Sequence, residues 1–212
     1  MEILASFFRD GGMFMYFILM ASVVGIAIVV ERGITLLFKY NVDARILWDR
    51  VSKFIADGDI EKARLLCKDS NAPLFKILYA GLLVSDRPEK EIQNAIDEVA
   101  LEIVPAIDKR VSYLSTLANI ATLLGLLGTI QGLIQAFAAV GVADPSQKAS
   151  LLANGISVAL YTTAFGLIVA IPLLAMYTVL QAKAHRLIDE IDEFSVKFIN
   201  LLNRRKSGIQ AQ

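Results

Sequence analysis

Three long stretches of this chain contain no charged residue. They are residues 11–30, 111–143 and 149–182, with lengths of 20, 33 and 34 residues. A helix needs about 20 mostly apolar residues to cross a hydrocarbon core about 30 Å thick, so each stretch is long enough for one crossing. The sequence therefore predicts an all-α integral membrane protein with three transmembrane helices, and the two longer helices should extend beyond the bilayer.

The composition of the 212 residues agrees with a membrane protein. Apolar residues make up 56% and charged residues 20%, and the mean hydropathy is +0.57. The 21 basic residues balance the 21 acidic ones, so the basic excess that is typical of nucleic-acid binding is missing. With one cysteine, Cys67, and one histidine, His185, we expect no disulfide framework, no metal site and no cofactor.

The distribution of Lys and Arg predicts the orientation in the membrane. Only Arg9 and Lys148 lie on one side of the predicted spans, whereas the other side has Arg32, Lys39, Arg45, Lys109, Arg110, Lys183 and Arg186. We therefore expect a periplasmic N-terminus and a cytoplasmic C-terminus. The remaining segments would be an interfacial segment at residues 1–10, a cytoplasmic helical insert at 31–110, a periplasmic loop at 144–148 and a cytoplasmic helical tail at 183–212.

The insert and the tail both show helical periodicity. One apolar stripe in the insert consists of Ile92, Ile96, Val99, Ile103 and Ile107, and one in the tail of Leu187, Ile191, Phe194, Phe198 and Leu201. Both stripes have the three- and four-residue spacing of a helix face. Pro105 should kink the first helix. No proline lies between Leu173 and Asn203, so the third span should continue into the tail as one helix over residues 151–203, with a bend at Pro172.

Very small residues follow one face of the second predicted span: Ala118, Ala121, Gly125, Gly128, Gly132, Ala136 and Ala139. The third span has a similar line: Gly155, Ala159, Thr163, Gly166 and Ala170. Such faces let helix backbones approach closely in a bilayer. We expect that three spans of one copy cannot cover both faces, and this predicts a symmetric homo-oligomer.

A polar line runs along another side of the second span, interrupted once by Leu126. It consists of Ser115, Asn119, Thr122 and Thr129, and the outer half of the third span adds Asn154, Ser157, Tyr161, Thr162 and Thr163. Hydroxyls in a span commonly bond to their own helix or hold helices together. Several in line across two helices would also suit the wall of a narrow wetted passage, and the residues alone leave both interpretations open.

None of the three stretches contains an ionisable Asp, Glu, Lys, Arg or His. Ionisable groups inside a membrane are the usual markers of ion pathways. Either this chain moves no ions, or a partner supplies the charge.

Two sequence motifs carry a resemblance to a known family. Residues 124–132, LGLLGTIQG, and residues 155–172, GISVALYTTAFGLIVAIP, resemble the signature spans of the MotA/TolQ/ExbB proton-channel family. Three spans with a large insert after the first resemble the ExbB and TolQ branch, because the MotA branch has four spans.

The resemblance implies a stator subunit of an energy-transducing complex in the bacterial inner membrane, driven by H⁺, with Na⁺ as an alternative. It implies a homopentamer around a single-span partner of the ExbD, TolR or MotB type, whose helix carries an aspartate, and an effector of the TonB or TolA type. The motifs place pore-facing threonines at Thr129 and Thr163, beside Thr162. Further ion-pathway candidates are Thr122, Asn119 and Ser115, and the helix-packing candidates are Gly125, Gly128, Gly132, Gly155, Ala159 and Gly166.

One position departs from the family pattern. Val158 stands where chains close to ExbB and TolQ carry a glutamate followed by Ala-Leu, and here Ala159 and Leu160 follow it. The gating role of that glutamate does not carry over, and neither the process powered nor the ion is named by the sequence.

Two other function classes compete with a stator. A transmembrane scaffold protein without ion transport is the alternative. An enzyme is not expected, because the sequence has no nucleophile–base pair, no metal-ligand spacing and no phosphate-binding loop.

Overall fold

The computed structural model describes residues 12–40, 44–68, 70 and 72–210. Within these residues the secondary structure is helical, with no β-strand. The described residues form seven α-helices: α1 (Phe14–Gly33), α2 (Ala44–Ala56), α3 (Ile60–Lys68), α4 (Pro73–Leu83), α5 (Glu89–Asp108), α6 (Val111–Val142) and α7 (Lys148–Gln210). A short π-helical segment, Ile34–Lys39, follows α1 directly.

Three helical stretches are long and apolar enough to cross a membrane. They are Phe14–Lys39, Glu89–Val142 and Lys148–Lys206, and each contains most or all of one charge-free stretch. The predicted fold class, an all-α membrane protein with three spans and long helical extensions, is thereby confirmed. The predicted interfacial segment at residues 1–10 lies outside the described residues.

The chain divides into two compact units. The first, which we call the span unit, comprises Met1–Glu31 and Arg110–Val179, and the second, the insert unit, comprises Arg32–Lys109 and Leu180–Gln212. Helix α7 contributes to both units. It continues without interruption through the predicted range 151–203, with Pro172 inside it.

In the span unit, one face of α1 is buried: Met15, Ile18, Ala21, Gly25 and Ile28. Gly25 meets α7 at close range, because a Cβ built on it would lie 2.7 Å from Cδ2 of Leu173. The opposite side of α1 exposes large apolar side chains such as Met20, Val23 and Ile26. An apolar exposed face of this kind suits contact with lipid.

The insert unit has its own apolar core. Helices α2 to α5 pack in chain order, each on the next, and α7 adds Phe194, Phe198 and Leu202. Phe198 lies against α4, where a Cβ on Gly81 would come within 2.6 Å of its ring. Of the predicted α5 stripe, Ile92, Ile96 and Ile107 are buried and the other two are half-buried.

The chain breaks between α5 and α6 after Pro105 rather than at it. Pro105 lies inside α5, which continues to Asp108. Arg110 then takes a left-handed conformation with φ 65°, and α6 starts at the next residue. Within the span unit, Nη1 of Arg110 donates to both carboxylate oxygens of Glu31 at 2.8 and 2.7 Å. Helix α5 thus continues past Pro105, and α6 begins after the left-handed Arg110, whose side chain forms an ion pair with Glu31.

Candidate functional site: the α6–α7 pair

Helices α6 and α7 pack against each other in antiparallel directions with their backbones nearly touching. A Cβ on Gly125 would lie 3.2 Å from the Cα of Thr163, and one on Gly166 would lie 2.7 Å from the carbonyl oxygen of Ala121. Farther along, a Cβ on Gly155 would lie 2.2 Å from the Cβ of Ala136. These positions leave no room for a side chain.

The small residues of α6 form the centre of this contact. Ala118, Ala121, Gly125, Gly128, Gly132 and Ala136 are all buried, and Ala139 is half-buried. On α7 the partners include Ala159, whose backbone nitrogen and Cβ would each lie 3.1 Å from a Cβ on Gly132. All six helix-packing candidates therefore lie in or beside the contact between the two helices of one chain.

This arrangement corrects one inference from the sequence. We expected one copy to be unable to cover its two small-residue faces, and took this as the reason for an oligomer. The faces of α6 and α7 cover each other within a single chain, because the helices run antiparallel and bring Gly125 level with Thr163 and Gly132 level with Ala159. An oligomer must rest on other surfaces.

Thr163 forms a hydrogen bond across the contact. Its hydroxyl donates to the backbone carbonyl of Gly125 at 2.9 Å. In the α-helix the same carbonyl also accepts from the amide of Thr129, four residues later. Thr163 is half-buried, as is Thr129, so both threonines predicted for the ion path lie at the edge of the helix contact and within one turn of Gly125.

The other threonine hydroxyls bond to their own helices. Thr129 donates to the carbonyl of Leu126 at 2.5 Å, and Thr122 donates to that of Ala118 at 3.1 Å. A hydroxyl has one hydrogen and two acceptor lone pairs. In this structure the hydroxyl hydrogens of these threonines are therefore used in bonds to backbone carbonyls. The oxygen lone pairs remain, so these hydroxyls can act only as acceptors toward a ligand.

Thr162 lies inside the helix contact. Its side chain is 1% exposed, and its Cγ2 would be 2.3 Å from a Cβ on Gly128. Its hydroxyl donates to the carbonyl of Val158 at 2.9 Å. This placement favours a packing role for Thr162 over the ion-pathway role that the sequence predicted.

The polar line on α6 remains on the surface of the single chain. Asn119 and Thr122 are exposed, and Ser115 and Thr129 are half-buried. Leu126, at the interruption, is 54% exposed. The line runs over 15 residues, and its ends are about 21 Å apart at a rise of 1.5 Å per residue, which is most of the thickness of a hydrocarbon core.

Two polar side chains of α6 were missed by the sequence analysis. Gln131 and Gln135 are exposed and line a cavity of about 320 Å³ together with Gly12, Met13, Phe14 and Gly128. Their spacing of four residues inside an apolar stretch was the signal that could have revealed them.

Among the described residues, no group of His, Cys, Asp and Glu is placed to hold a metal ion. The position of the family glutamate, Val158, is half-buried in the span unit. Its Cγ1 would lie 3.9 Å from a Cβ on Gly12, so this position borders the start of α1.

Comparison with known proteins agrees with this architecture. The MotA/TolQ/ExbB proton channel family matches residues 69–193. The chain belongs to this family. The match contains α4, α5, α6 and the membrane part of α7, and so includes the whole α6–α7 contact.

Individual relatives place the chain in the ExbB/TolQ-like branch. It is 30% identical over 190 residues to a biopolymer transport protein ExbB homolog of Methanothermobacter thermautotrophicus, covering 89% of this chain and 66% of the relative. It is 30% identical over 126 residues to the Tol-Pal system protein TolQ of Haemophilus influenzae, covering 58% and 55%. It is 40% identical over 88 residues to the biopolymer transport protein exbB1 of Vibrio cholerae, covering 42% and 38%. This ExbB/TolQ-like chain thus spans between 38% and 66% of the length of these relatives.

Proposed function

We propose that this chain is an ion-conducting stator subunit of an energy-transducing complex in the bacterial inner membrane. Copies of it, five on family grounds, surround a single-span partner of the ExbD or TolR type that carries an intramembrane aspartate. The observation that carries the proposal is the polar line of α6. It lies on the surface of the subunit along a helix whose 32 residues include no Asp, Glu, Lys, Arg or His.

The cost of burying polar groups supports this reading. A polar side chain that faces hydrocarbon without a partner costs on the order of 1–3 kcal/mol in proteins. Asn119 is the strongest case, because its amide has two donor hydrogens and an acceptor oxygen and is exposed on α6. A surface with such groups is stable in a membrane when it faces water or another polar chain, as the wall of a pore does.

The hydrogen bonds of the threonines define which ligand the wall suits. Thr122, Thr129 and Thr163 donate to backbone carbonyls and present lone pairs. Lone pairs stabilise a protonated carboxyl group, a hydrated proton or Na⁺, all of which present hydrogens or positive charge. Asn119 adds donor hydrogens that suit the ionised carboxylate. The wall can therefore accommodate the partner's aspartate in both charge states without a fixed charge of its own.

The energy available from the membrane potential favours a site that binds the ion weakly. Moving one charge through 100 mV releases about 2.3 kcal/mol, so a site that bound the ion much more tightly would stall the cycle. Neutral hydroxyls and an amide bind an ion weakly enough that an energy of this size can release it. The work would pass to an effector of the TonB or TolA type through the partner.

The deciding experiment replaces Thr129 and Thr163 together by valine, which is nearly isosteric. Thr178→Val is the matched control, because Thr178 is an exposed α7 threonine that donates to the carbonyl of Leu174 at 3.0 Å but lies outside the predicted path. We expect the double variant to assemble and to lose complementation of a deletion strain and ion flux in vesicles. The control should retain both.

The scaffold function remains the second candidate, and the close α6–α7 packing is the observation that favours it. Helix packing alone would explain the glycines and the buried Thr162. Full complementation and normal flux in the double variant would leave only this function.

A further inference from the structure

The polar line of α6 ends at Thr129, well before the outer end of the helix, which is the end next to the loop expected in the periplasm. Toward Val142, where α6 ends, the same face continues with Leu133, Phe137 and Val140. Leu133 is 38% exposed and Phe137 is 63% exposed, so the face stays on the surface but becomes apolar. About 20 Å of helix beyond Thr129, at 1.5 Å per residue, thus offers no polar side chain to an ion on this face.

The two glutamines in this part of α6 lie on another side of the helix. At 100° per residue, Gln131 and Gln135 are about 200° and 240° around α6 from Thr129. They line the cavity beside the start of α1. The glutamines therefore do not extend the polar line outward.

Helix α7 has a polar face in this outer part of the span unit. Gln147 leads into the helix, because its carbonyl accepts a hydrogen bond from the amide of Leu151 at 3.0 Å. From Gln147 onward, polar residues recur at the three- and four-residue spacing of one helix face, and we call them the outer polar line: Gln147, Ser150, Asn154, Ser157 and Tyr161. Ser157 is half-buried and the other four are exposed.

The same face of α7 becomes apolar where the outer polar line ends. Ala164, Ile168, Ile171 and Ala175 continue the helical spacing, and all four are exposed. The face of α7 is therefore polar toward the outer end and apolar toward the inner end, and the face of α6 shows the reverse order.

The register of the two antiparallel helices places the polar part of one face level with the apolar part of the other. The levels follow from the contacts of Gly155 with Ala136 and of Gly132 with Ala159. Counted from these contacts, the outer level pairs are Asn154 with Phe137, Ser157 with Leu133 and Tyr161 with Thr129. The inner level pairs are Ile168 with Thr122, Ile171 with Asn119 and Ala175 with Ser115. The two polar lines thus reach the same depth only near Thr129.

The two polar lines also lie on different sides of the helix pair. Ser157 and Tyr161 are each two positions from Ala159, which contacts α6, and two positions correspond to about 200° around a helix. Thr163 instead lies at the edge of the contact, where it bonds to Gly125. The two lines therefore do not join end to end, and an ion that arrives along α7 has to move sideways before it can leave along α6.

We propose that the outer polar line is a water-filled access along which a hydrated cation, H⁺ or Na⁺, reaches the depth of Thr129 and Thr163 from the periplasmic side. The inference rests on the proposed function and assigns the outer part of its ion path. Amide and hydroxyl oxygens offer lone pairs to the cation and its water, whereas an apolar wall excludes water from a narrow passage. The partner's carboxylate then moves the ion sideways to the polar line of α6.

Thiol accessibility in sealed membranes that contain the partner protein tests this access directly. Asn154→Cys and Ser157→Cys are treated with a charged, membrane-impermeant thiosulfonate reagent that is added to one side at a time. We expect modification from the outer side and none from the inner side. Ile168→Cys is the matched control, because Ile168 is exposed on the same face of α7 in its apolar part, and it should react from neither side. The native chain serves as the blank, because Cys67 is buried.

The dependence of ion flux on the outer ion concentration gives a second measurement. Asn154→Leu and Ser157→Ala should each raise the outer concentration needed for half-maximal flux by about tenfold, as expected for one lost hydrogen bond to a charged ligand. Their flux at saturating outer concentration should fall less. Thr122→Val, on the polar line of α6, should lower the saturating flux and leave the half-maximal concentration unchanged. An unchanged half-maximal concentration in both α7 variants contradicts the proposed access.

The outcomes separate this inference from the proposed function. If the complex conducts ions but Ser157→Cys stays unmodified from the outer side, the access is overturned and the stator function stands. Equal modification of Ile168→Cys also overturns the access, because the polar residues then do not determine where water enters. A native complex without ion flux would overturn the proposed function, and the access with it.

Discussion

The hydroxyl of Thr163 on α7 donates a hydrogen bond of 2.9 Å to the backbone carbonyl of Gly125 on α6, 38 positions earlier in the chain. The bond is possible because Gly125 has no side chain, and a Cβ there would lie 3.2 Å from the Cα of Thr163. One threonine thus joins the packing of the two helices to the polar surface that we propose as the ion path.

The first prediction separates these two roles of Thr163. Thr163→Val removes the hydroxyl, and we expect loss of complementation with the complex still assembled, because one hydrogen bond in a membrane protein contributes on average only about 0.6 kcal/mol. Thr163→Ser keeps the hydroxyl and should retain partial activity. The measurement is growth of the complemented deletion strain beside the amount of intact complex. An inactive variant that also fails to assemble would assign Thr163 to packing.

The second prediction orders the other threonines. Thr129→Val should reduce activity less than Thr163→Val, and Thr162→Val should affect activity least. Thr162 is 1% exposed, so its loss should appear in thermal stability instead. Ion flux and unfolding temperature of the three purified variants test this order. If the Thr162→Val variant is fully stable but conducts no ions, Thr162 has the ion-pathway role that the sequence predicted.

The third prediction concerns the glycines of α6. Gly128→Ala places a Cβ 2.3 Å from Cγ2 of Thr162, and such overpacking costs about 1–3 kcal/mol. The larger change Gly128→Leu should prevent the α6–α7 pair from forming, and assembly with it. Gly141→Ala is the control in the same helix, because no atom lies within 4 Å of a Cβ there. Equal unfolding temperatures for the two alanine variants in detergent would contradict the packing.

The fourth prediction concerns the thiol of the insert unit. Burial raises the pKa of Cys67 to about 12, whereas an unfolded thiol titrates near 8.5. Above about pH 8.5 the unfolded state loses its proton first, so the free energy of unfolding should fall as the pH rises toward 12. The variant Cys67→Ala should lack this part of the pH dependence. Denaturant unfolding at pH 7.5 and 10 measures it, and identical pH slopes for both proteins would refute it.

The fifth prediction concerns the break before α6. Arg110 has φ 65°, a conformation that costs a residue other than glycine about 1–2 kcal/mol. Both Arg110→Ala and Arg110→Gly lose the ion pair with Glu31. Alanine still carries the free-energy cost of the left-handed conformation, whereas glycine adopts that conformation without it. We expect Arg110→Gly to be the more stable of the two in thermal unfolding, and the reverse order would show that the left-handed conformation is not maintained.

Much of this protein could be predicted from local sequence patterns. The charge-free stretches located the three apolar helices, because length and hydropathy alone decide whether a helix can cross a bilayer. The continuous α7 followed from unbroken helical periodicity in its tail. The motifs around Thr129 and Thr163 identified the family, which the match over residues 69–193 confirms.

The tertiary structure decided which faces meet. The sequence placed small residues on both α6 and α7 but predicted that one copy could not cover both faces, and only the antiparallel register showed that Gly132 packs on Ala159 in one chain. Thr162 and Thr163 are neighbours in the sequence with the same hydroxyl, and the structure buries the first and leaves the second half-exposed. Helical periodicity specifies which residues share a face, whereas the partner of a face depends on packing between segments far apart in the chain, and no local pattern contains that information.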